Sequence, residues 1–378
     1  MSFNPHLWYL MGLSQSISTV KHLTLSTTST SATWSPQSII NSGVTLTWDV
    51  TGDITPTSQN VDDPTFDLSA NTGTVNMDVY DVSGLSEFTC TSNGLINIDI
   101  SNCVALLNLK VFANILTSLN LSNNTNIEYL NANTNQISSL DVSSNTNLQT
   151  LYCGENPLTS LDVSNNTQLI FLYINLTQIS LLDLSTNTLL QSLYFNECLL
   201  TSIDLSTNTL LESLSCNKNQ LTALDVSNNV NLTNLNCFDN SISSIDLSQN
   251  IALDYLRLEF NSLTSLNISN NTLLTYLRCD NNSITTLSTS LNTILITLNC
   301  SFNQLTALDV STNTELKNLT CNNNLFAPSA TDQVYIDLAN GNGVNGTLYI
   351  RNNRTSASDT ARATLVSRGW TFNESFTT

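Results

Sequence analysis

Residues 211–231 read LESLSCNKNQLTALDVSNNVN and residues 232–252 read LTNLNCFDNSISSIDLSQNIA, with Leu, Cys, Asn, Asp and Ser recurring in the same columns. Followed outward, this 21-residue unit runs in phase from Leu85 to Glu315, eleven times, without insertion or deletion. A twelfth unit begins at Leu316, and residues 74–84 align with residues 95–105 as a preceding half unit. Self-similarity at one fixed period marks a stacked array, so the repeat decides the architecture before any local reading.

Positions 1, 4, 6, 11, 14 and 16 of the unit are almost always apolar, as in Leu211, Leu214, Cys216, Leu221, Leu224 and Val226, and are expected to face inward. Alternation at positions 4 to 6 has period two, which predicts a short strand with its middle residue on the other face from its neighbours. A second alternation, Leu224-Asp225-Val226, predicts another extended segment on the opposite side. The Asn, Ser and Thr between them are too few for a helix of normal length, so each unit is one flattened coil. A lone coil cannot bury its own apolar edge; coils therefore stack, strand on strand, at roughly 4.8 Å.

Several polar columns follow. Position 9 is Asn in ten of twelve units, where an inward amide can bond backbone groups of its own coil and a neighbouring one. Thr177 and Cys198, in adjacent units, depart from it, and the ladder is expected to be weaker there. Position 17 is Ser in all eleven units, with Asn two residues later in ten, and the hydroxyl is expected to close a turn. Position 15 is Asp in eight units, an outward carboxylate on most coils. Such a ladder binds cations, holds protons, or bonds its charges to nearby hydroxyls and amides; the last is the favoured reading. Seven of nine cysteines occupy the inward position 6 and are expected to be buried free thiols, because in-register parallel Cβ vectors suit a disulfide badly. Unpaired buried cysteines fit folding in a reducing cytoplasm.

The pattern resembles the leucine-rich-repeat family, whose L-x-x-L-x-L-x-x-N-x-L core is matched with Cys often in place of the third Leu. The resemblance covers roughly 240 of 378 residues and is nearest the short-repeat forms of bacteria and their phages. It implies a β-rich solenoid with one parallel sheet lining the concave side.

Composition marks the ends, since all four Trp and both His lie outside the repeats. Residues 1–73 are expected to form an amino-terminal β cap or attachment region, residues 74–326 the repeats, and residues 327–378 a carboxyl-terminal β-α-β cap. That cap is read as strands at Val334–Leu338, Gly346–Ile350 and Trp370–Phe372, with a helix near Ser358–Ser367. The aromatic start, with Phe3, Trp8 and Tyr9, is either an attachment peptide or a strand folded over the cap.

With 29 acidic residues against 10 basic ones and a net charge of −19, no surface can neutralise a run of phosphates, so nucleic-acid binding is not expected. No apolar run reaches the roughly 18 residues of a membrane span, and the opening residues lack the basic start of an export signal. Only His6 and His22 exist, which removes imidazole chemistry from the repeats; no phosphate loop or metal-ligand spacing occurs, and no cofactor or metal is expected. The acids on the sheet side are scattered, so glycoside hydrolysis is not expected.

What the outward strand positions do carry is aromatic. Tyr152, Tyr173 and Tyr194 follow one another in the fifth column, with Tyr129 and Phe171 in the third. Further along, Tyr255, Arg257, Tyr276 and Arg278 make a two-by-two block beside Phe238 and Phe260. These nine tyrosines, phenylalanine and arginines are either a ligand surface or the ordinary strand preference for Tyr made regular by the repeat. The expectation is a non-enzymatic recognition or adhesion protein, most concretely a phage virion component (fibre or decoration protein) made in the host cytoplasm. Its partners would be a protein or a cell-surface glycan, with other virion proteins docking through residues 1–20. A bacterial surface or secreted adhesin, or a structural spacer, are the alternatives.

Overall fold

Each coil places its strand at positions 3 to 5, and the unvarying repeat length sets every neighbouring strand in register. The computed structural model describes residues 22–31, 35–36, 38–41, 47–51, 58–60, 74–80, 82–341, 343–351 and 353–375. They fall in two compact units, residues 1–137 and 138–378.

The first unit holds β1 (His22–Thr27), β2 (Ser38–Asn41), β3 (Thr47–Thr51), β4 (Ser58–Asn60), β5 (Val75–Tyr80), β6 (Leu85–Thr89), β7 (Leu95–Asp99), β8 (Asn108–Lys110) and β9 (Tyr129–Asn131). An antiparallel sheet runs in the order β4-β3-β5-β1-β7. Alternate residues of β1 and β5, namely Leu23, Leu25, Val75, Met77 and Val79, are buried, as the period-two pattern requires. The half unit ahead of the first coil supplies β5, but β1 intervenes between it and its counterpart β7. Separately, β2 pairs antiparallel with β6, to which β8 and then β9 add in parallel.

The second unit continues the coils with β10 (Thr150–Tyr152), β11 (Phe171–Tyr173), β12 (Ser192–Tyr194), β13 (Ser213–Ser215), β14 (Asn234–Asn236), β15 (Tyr255–Arg257), β16 (Tyr276–Arg278), β17 (Thr297–Asn299) and β18 (Asn318–Thr320). All pair in parallel with partners 21 residues apart, such as Leu235 with Leu256. The middle residue of each strand is buried and its two neighbours are half-buried in most coils.

Two asparagine ladders hold the coils together. Asn303, at position 9, donates from Nδ2 to the carbonyls of Cys300 (3.2 Å) and Cys279 (3.0 Å) and accepts the Ile284 N–H at Oδ1 (2.9 Å). It thus ties its own coil to the preceding one. At the expected weak point no amide is present: the Thr177 hydroxyl lies 3.0 Å from the Ile174 carbonyl and 3.3 Å from Cys198 Sγ, and that sulfur is 3.3 Å from the same carbonyl. The second ladder is the Asn at position 19: Asn229 is buried and donates to Leu205 (3.1 Å) and Asn208 (2.9 Å). At the serine turn the backbone N–H is a principal donor, with Ser227 N giving to Asp225 Oδ1 at 2.9 Å. The expected hydroxyl adds to it, as in Ser311 Oγ to Asp309 Oδ1 at 2.6 Å.

The carboxyl-terminal segment corrects one expectation. Val334–Leu338 is not a strand; it lies within α1 (Pro328–Asn340). Pro328 opens that helix, and Thr331, Val334, Tyr335 and Leu338 are buried at helical spacing. Five residues that alternate apolar and polar also satisfy a helix when the flanking residues continue its period, and here they do. Then follow β19 (Thr347–Arg351), α2 (Asp359–Ser367) and β20 (Thr371–Ser375), the two strands extending the parallel sheet beyond β18. Buried Asp332 joins the layers by accepting from Thr355 N (2.9 Å) and Ser358 Oγ (2.6 Å).

Candidate recognition surface on the sheet

Because neighbouring strands are in register, residues 21 apart in the sequence become neighbours across the sheet. Tyr152 pairs with Tyr173 and Tyr173 with Tyr194, so the expected column forms as a row of rings. Their centroids are 5.7 and 6.2 Å apart, and Phe171 packs at 4.6 Å from Tyr152 and 5.4 Å from Tyr194, all tilted by 33–37°. Offset, tilted contacts of this kind suit the ring quadrupoles, so the four hold one another in place. Tyr194 OH also lies 3.0 Å from Ser213 Oγ. Gly154 makes room for Tyr173: a Cβ there would sit 2.7 Å from Tyr173 Cε1 and 2.6 Å from Asn175 O. Tyr129 lies on β9 of the first unit, where Lys110 Nζ is 5.5 Å from its ring centroid.

The second block assembles as well. Tyr255 and Tyr276 stack at 4.4 Å with 9° between planes. Arg257 lies over the Phe238 ring at 4.3 Å and gives its Nε to Glu259 Oε1 at 2.7 Å. Arg278 makes a two-pronged contact with Asp280, 3.1 and 3.2 Å, and its Nη1 approaches Glu259 Oε1 at 3.6 Å. Glu259 and Asp280 are 1% and 4% exposed, while both arginine side chains stay partly exposed. Burial works to lower the pKa of Arg257 and Arg278, but the hydrogen bond and charge of Glu259 and of Asp280 outweigh it and raise both. Burial, then the Tyr276 neighbour, raises that of Tyr255. Two cations over two buried anions leave the block neutral, with fixed geometry.

The roles of Glu259, Asp280 and Gly154 are not legible from composition. The acids read as scattered when taken one column at a time, yet Arg257-x-Glu259 and Arg278-x-Asp280 share one face of an extended chain, and that spacing was the available signal. The Asp ladder is served internally: bonds from the serine two residues on lower the pKa of Asp225, with its backbone N–H first, and those of Asp162, Asp183 and Asp246 in the same way. Among the described residues no group of three His, Cys, Asp or Glu is placed to hold a metal ion, and no helix is long and apolar enough to cross a membrane. Phe3, Trp8 and Tyr9 lie outside the described residues.

No protein-family model and no curated protein matches the chain. Solved structures do. The domain of InlJ from Listeria monocytogenes, which includes a cysteine ladder, is 28% identical over 72% of this chain and 71% of its own, with a TM-score of 0.57. The chain is a leucine-rich-repeat protein. The internalin InlF from the same species superposes with a TM-score of 0.70 at 23% identity, over 79% of this chain and 88% of its own. A third leucine-rich-repeat likeness is to a chain of the octameric complex of Latrophilin 3, Unc5D and FLRT2, with a TM-score of 0.55 at 19% identity, over 66% of this chain and 85% of that one. This leucine-rich-repeat protein has cysteine stacks of its own: Cys216 with Cys237, and Cys279, Cys300 and Cys321 on consecutive coils, all buried and unbridged. Burial pushes up the thiols of Cys279, Cys300 and Cys321, and those of Cys90 and Cys103 to about 12.

Proposed function

We propose that this leucine-rich-repeat protein is a non-enzymatic recognition protein that binds a protein partner through the outward residues of its sheet. The observation that carries this is the Tyr255, Arg257, Tyr276, Arg278 block, in which the guanidinium groups are already fixed by buried Glu259 and Asp280. Ordering a free long side chain on binding costs about 0.5–1.5 kcal/mol, and here folding has met that cost beforehand. Tyr and Arg packed at the middle of a surface are the residues that dominate protein interfaces. The Tyr152, Phe171, Tyr173, Tyr194 quartet supplies a second pre-ordered area, and the likeness to a leucine-rich-repeat complex fits the same use.

More finely, the partner lies on a host surface and the protein is a phage virion component, a fibre or decoration protein made in the host cytoplasm. Nine free buried thiols support folding in a reducing compartment, and the aromatic residues Phe3, Trp8 and Tyr9 suit docking onto a larger assembly. The likeness to InlJ favours a second reading, a bacterial surface or secreted adhesin.

The test is binding of the labelled chain to bacterial cells, to protease-treated cells and to arrayed surface glycans. It runs beside two folded variants, Tyr152→Ala/Tyr173→Ala/Tyr194→Ala and Tyr255→Ala/Tyr276→Ala. Loss in either variant and on protease treatment supports protein recognition by the sheet. Glycan binding that survives protease replaces the protein partner by a sugar, and binding unaffected in both variants removes the sheet from the account. Co-purification with phage particles separates the virion from the adhesin.

A further inference from the structure

The residue at position 8, just beyond each strand, is left-handed in all twelve coils, with φ between 52° and 57° from Ser92 to Asn323. Its N–H bonds the carbonyl at position 7 of the next coil, as Leu176 N to Asn196 O at 2.8 Å, which locks the conformation. Asn and Asp tolerate this region best among residues with a side chain, and large apolar residues poorly. Asn281, Asn323 and Asp239 follow that preference, whereas Leu176, Phe260 and Phe302 violate it. Burial does not compensate, because these three are 49%, 52% and 51% exposed.

Two of the three adjoin the candidate surface. Leu176 follows Tyr173 by three residues and Phe260 follows Arg257 by three. Leu199, on the coil after Leu176, is also exposed, where Gln178 and Gln220 stand on the coils to either side. The coils bearing Leu176 and Leu199 are also the two that lack the position-9 asparagine, having Thr177 and Cys198. On the Leu176 coil an apolar residue in unfavourable backbone, exposed apolar surface and a missing ladder asparagine coincide, and the leucine side chain adds nothing to the fold.

We infer that recognition extends off the sheet onto this left-handed rung, where Leu176 and Phe260 anchor a protein segment that presents an apolar side chain between basic ones. The charge pattern selects the partner. Glu155 and Glu197 occupy the same rung on the coils flanking Leu176, and Asp239 precedes Phe260, each about one coil spacing of 4.8 Å away. Around Leu176, between residues 138 and 256, the only basic residue is Lys218, which pairs with Glu197 at 2.9 Å across an exposed and therefore weak bridge. Near Phe260, Arg257 and Arg278 are already paired with Glu259 and Asp280. At Leu176 an aliphatic side chain offers a sugar neither a ring face nor a hydrogen bond, so this part of the rung fits a polypeptide.

The inference rests on reading the sheet as a protein-binding surface, and its test keeps the two apart. A random peptide library displayed on yeast is sorted against the labelled full chain. Enriched peptides are then measured on Leu176→Asn and Phe260→Asn, and on the Tyr152→Ala/Tyr173→Ala/Tyr194→Ala variant. The expected winners carry Lys or Arg on both sides of Leu, Ile or Phe and weaken with salt. On at least one Asn variant they should lose roughly tenfold in affinity although its melting temperature is equal or higher. A purely structural role for these residues would not separate stability from binding in this way. Winners without that pattern, or with full affinity for both Asn variants, overturn the inference, as does a library that yields none. Winners that fail on the Tyr variant but not on the Asn variants leave the sheet reading standing alone, and winners indifferent to all three variants remove both.

Discussion

Replacing Asn303 by Ala should be among the most costly single changes in the coils. The side chain is buried, and its Oδ1 is the acceptor for the Ile284 N–H at 2.9 Å, so truncation leaves one buried donor without that partner. The carbonyls of Cys279 and Cys300 fare better, because each keeps the amide of a neighbouring ladder residue, Asn282 at 3.1 Å and Asn324 at 3.0 Å. An orphaned buried donor costs about 1–3 kcal/mol and each ordinary bond about 0.5–1.5 kcal/mol, which sets the loss near 3 kcal/mol. Stacked coils interact with nearest neighbours, so the effect should be local, and native-state hydrogen exchange is the assay. The Ile284 amide should lose about a hundredfold in protection, while amides several coils away hold theirs. The reverse change, Cys198→Asn, returns an amide where the ladder is interrupted and should add about 1–2 kcal/mol. If Asn303→Ala costs less than about 1 kcal/mol and leaves Ile284 exchange unchanged, the asparagine is not what joins the coils.

Gly154→Ala should cost about 1–3 kcal/mol and shift the Tyr173 ring, because the Asn175 carbonyl 2.6 Å from the new methyl is backbone and cannot swing aside; an unchanged melting curve would contradict this. In the native chain at pH 8 the nine cysteines should resist iodoacetamide and react only after denaturation, as mass spectrometry can count. The folded pKa values of Cys90, Cys103, Cys153, Cys279, Cys300 and Cys321 lie above the unfolded value of about 8.5, so the folded state keeps protons that the unfolded state releases. Stability present below about pH 8.5 should therefore fall as pH rises toward 12, and equal denaturation midpoints at pH 8 and 10 would refute it. The Asp ladder has the opposite sign, its pKa values being depressed: its contribution is present above about pH 3.9 and lost only as pH falls through the lower folded values. Between pH 7 and 5 the ladder should change nothing, and a chelator should leave the melting temperature unaltered.

The sequence by itself determined the stacking, because a repeat without insertions turns residues 21 apart into spatial neighbours. The aromatic row of Tyr152, Tyr173 and Tyr194, the inward asparagines, the weak point at Thr177 and Cys198, and the burial of the cysteines all follow from that one fact. What it left open depends on three-dimensional detail within a coil. Val334–Leu338 satisfies two periodicities, and only packing against its surroundings selects the helix. Position 19 looked like part of a serine turn until Asn229 and its equivalents proved to be buried donors between coils. The left-handed rung is invisible in the sequence because no glycine marks it; the conformation is imposed by hydrogen bonds to the next coil, not by the residue that adopts it. Likewise Glu259 and Asp280 became the anchors of two arginines only when folding removed them from water, where each had more to gain from a guanidinium than from solvent. Period is a property of the chain, whereas burial and backbone strain belong to the assembled coils.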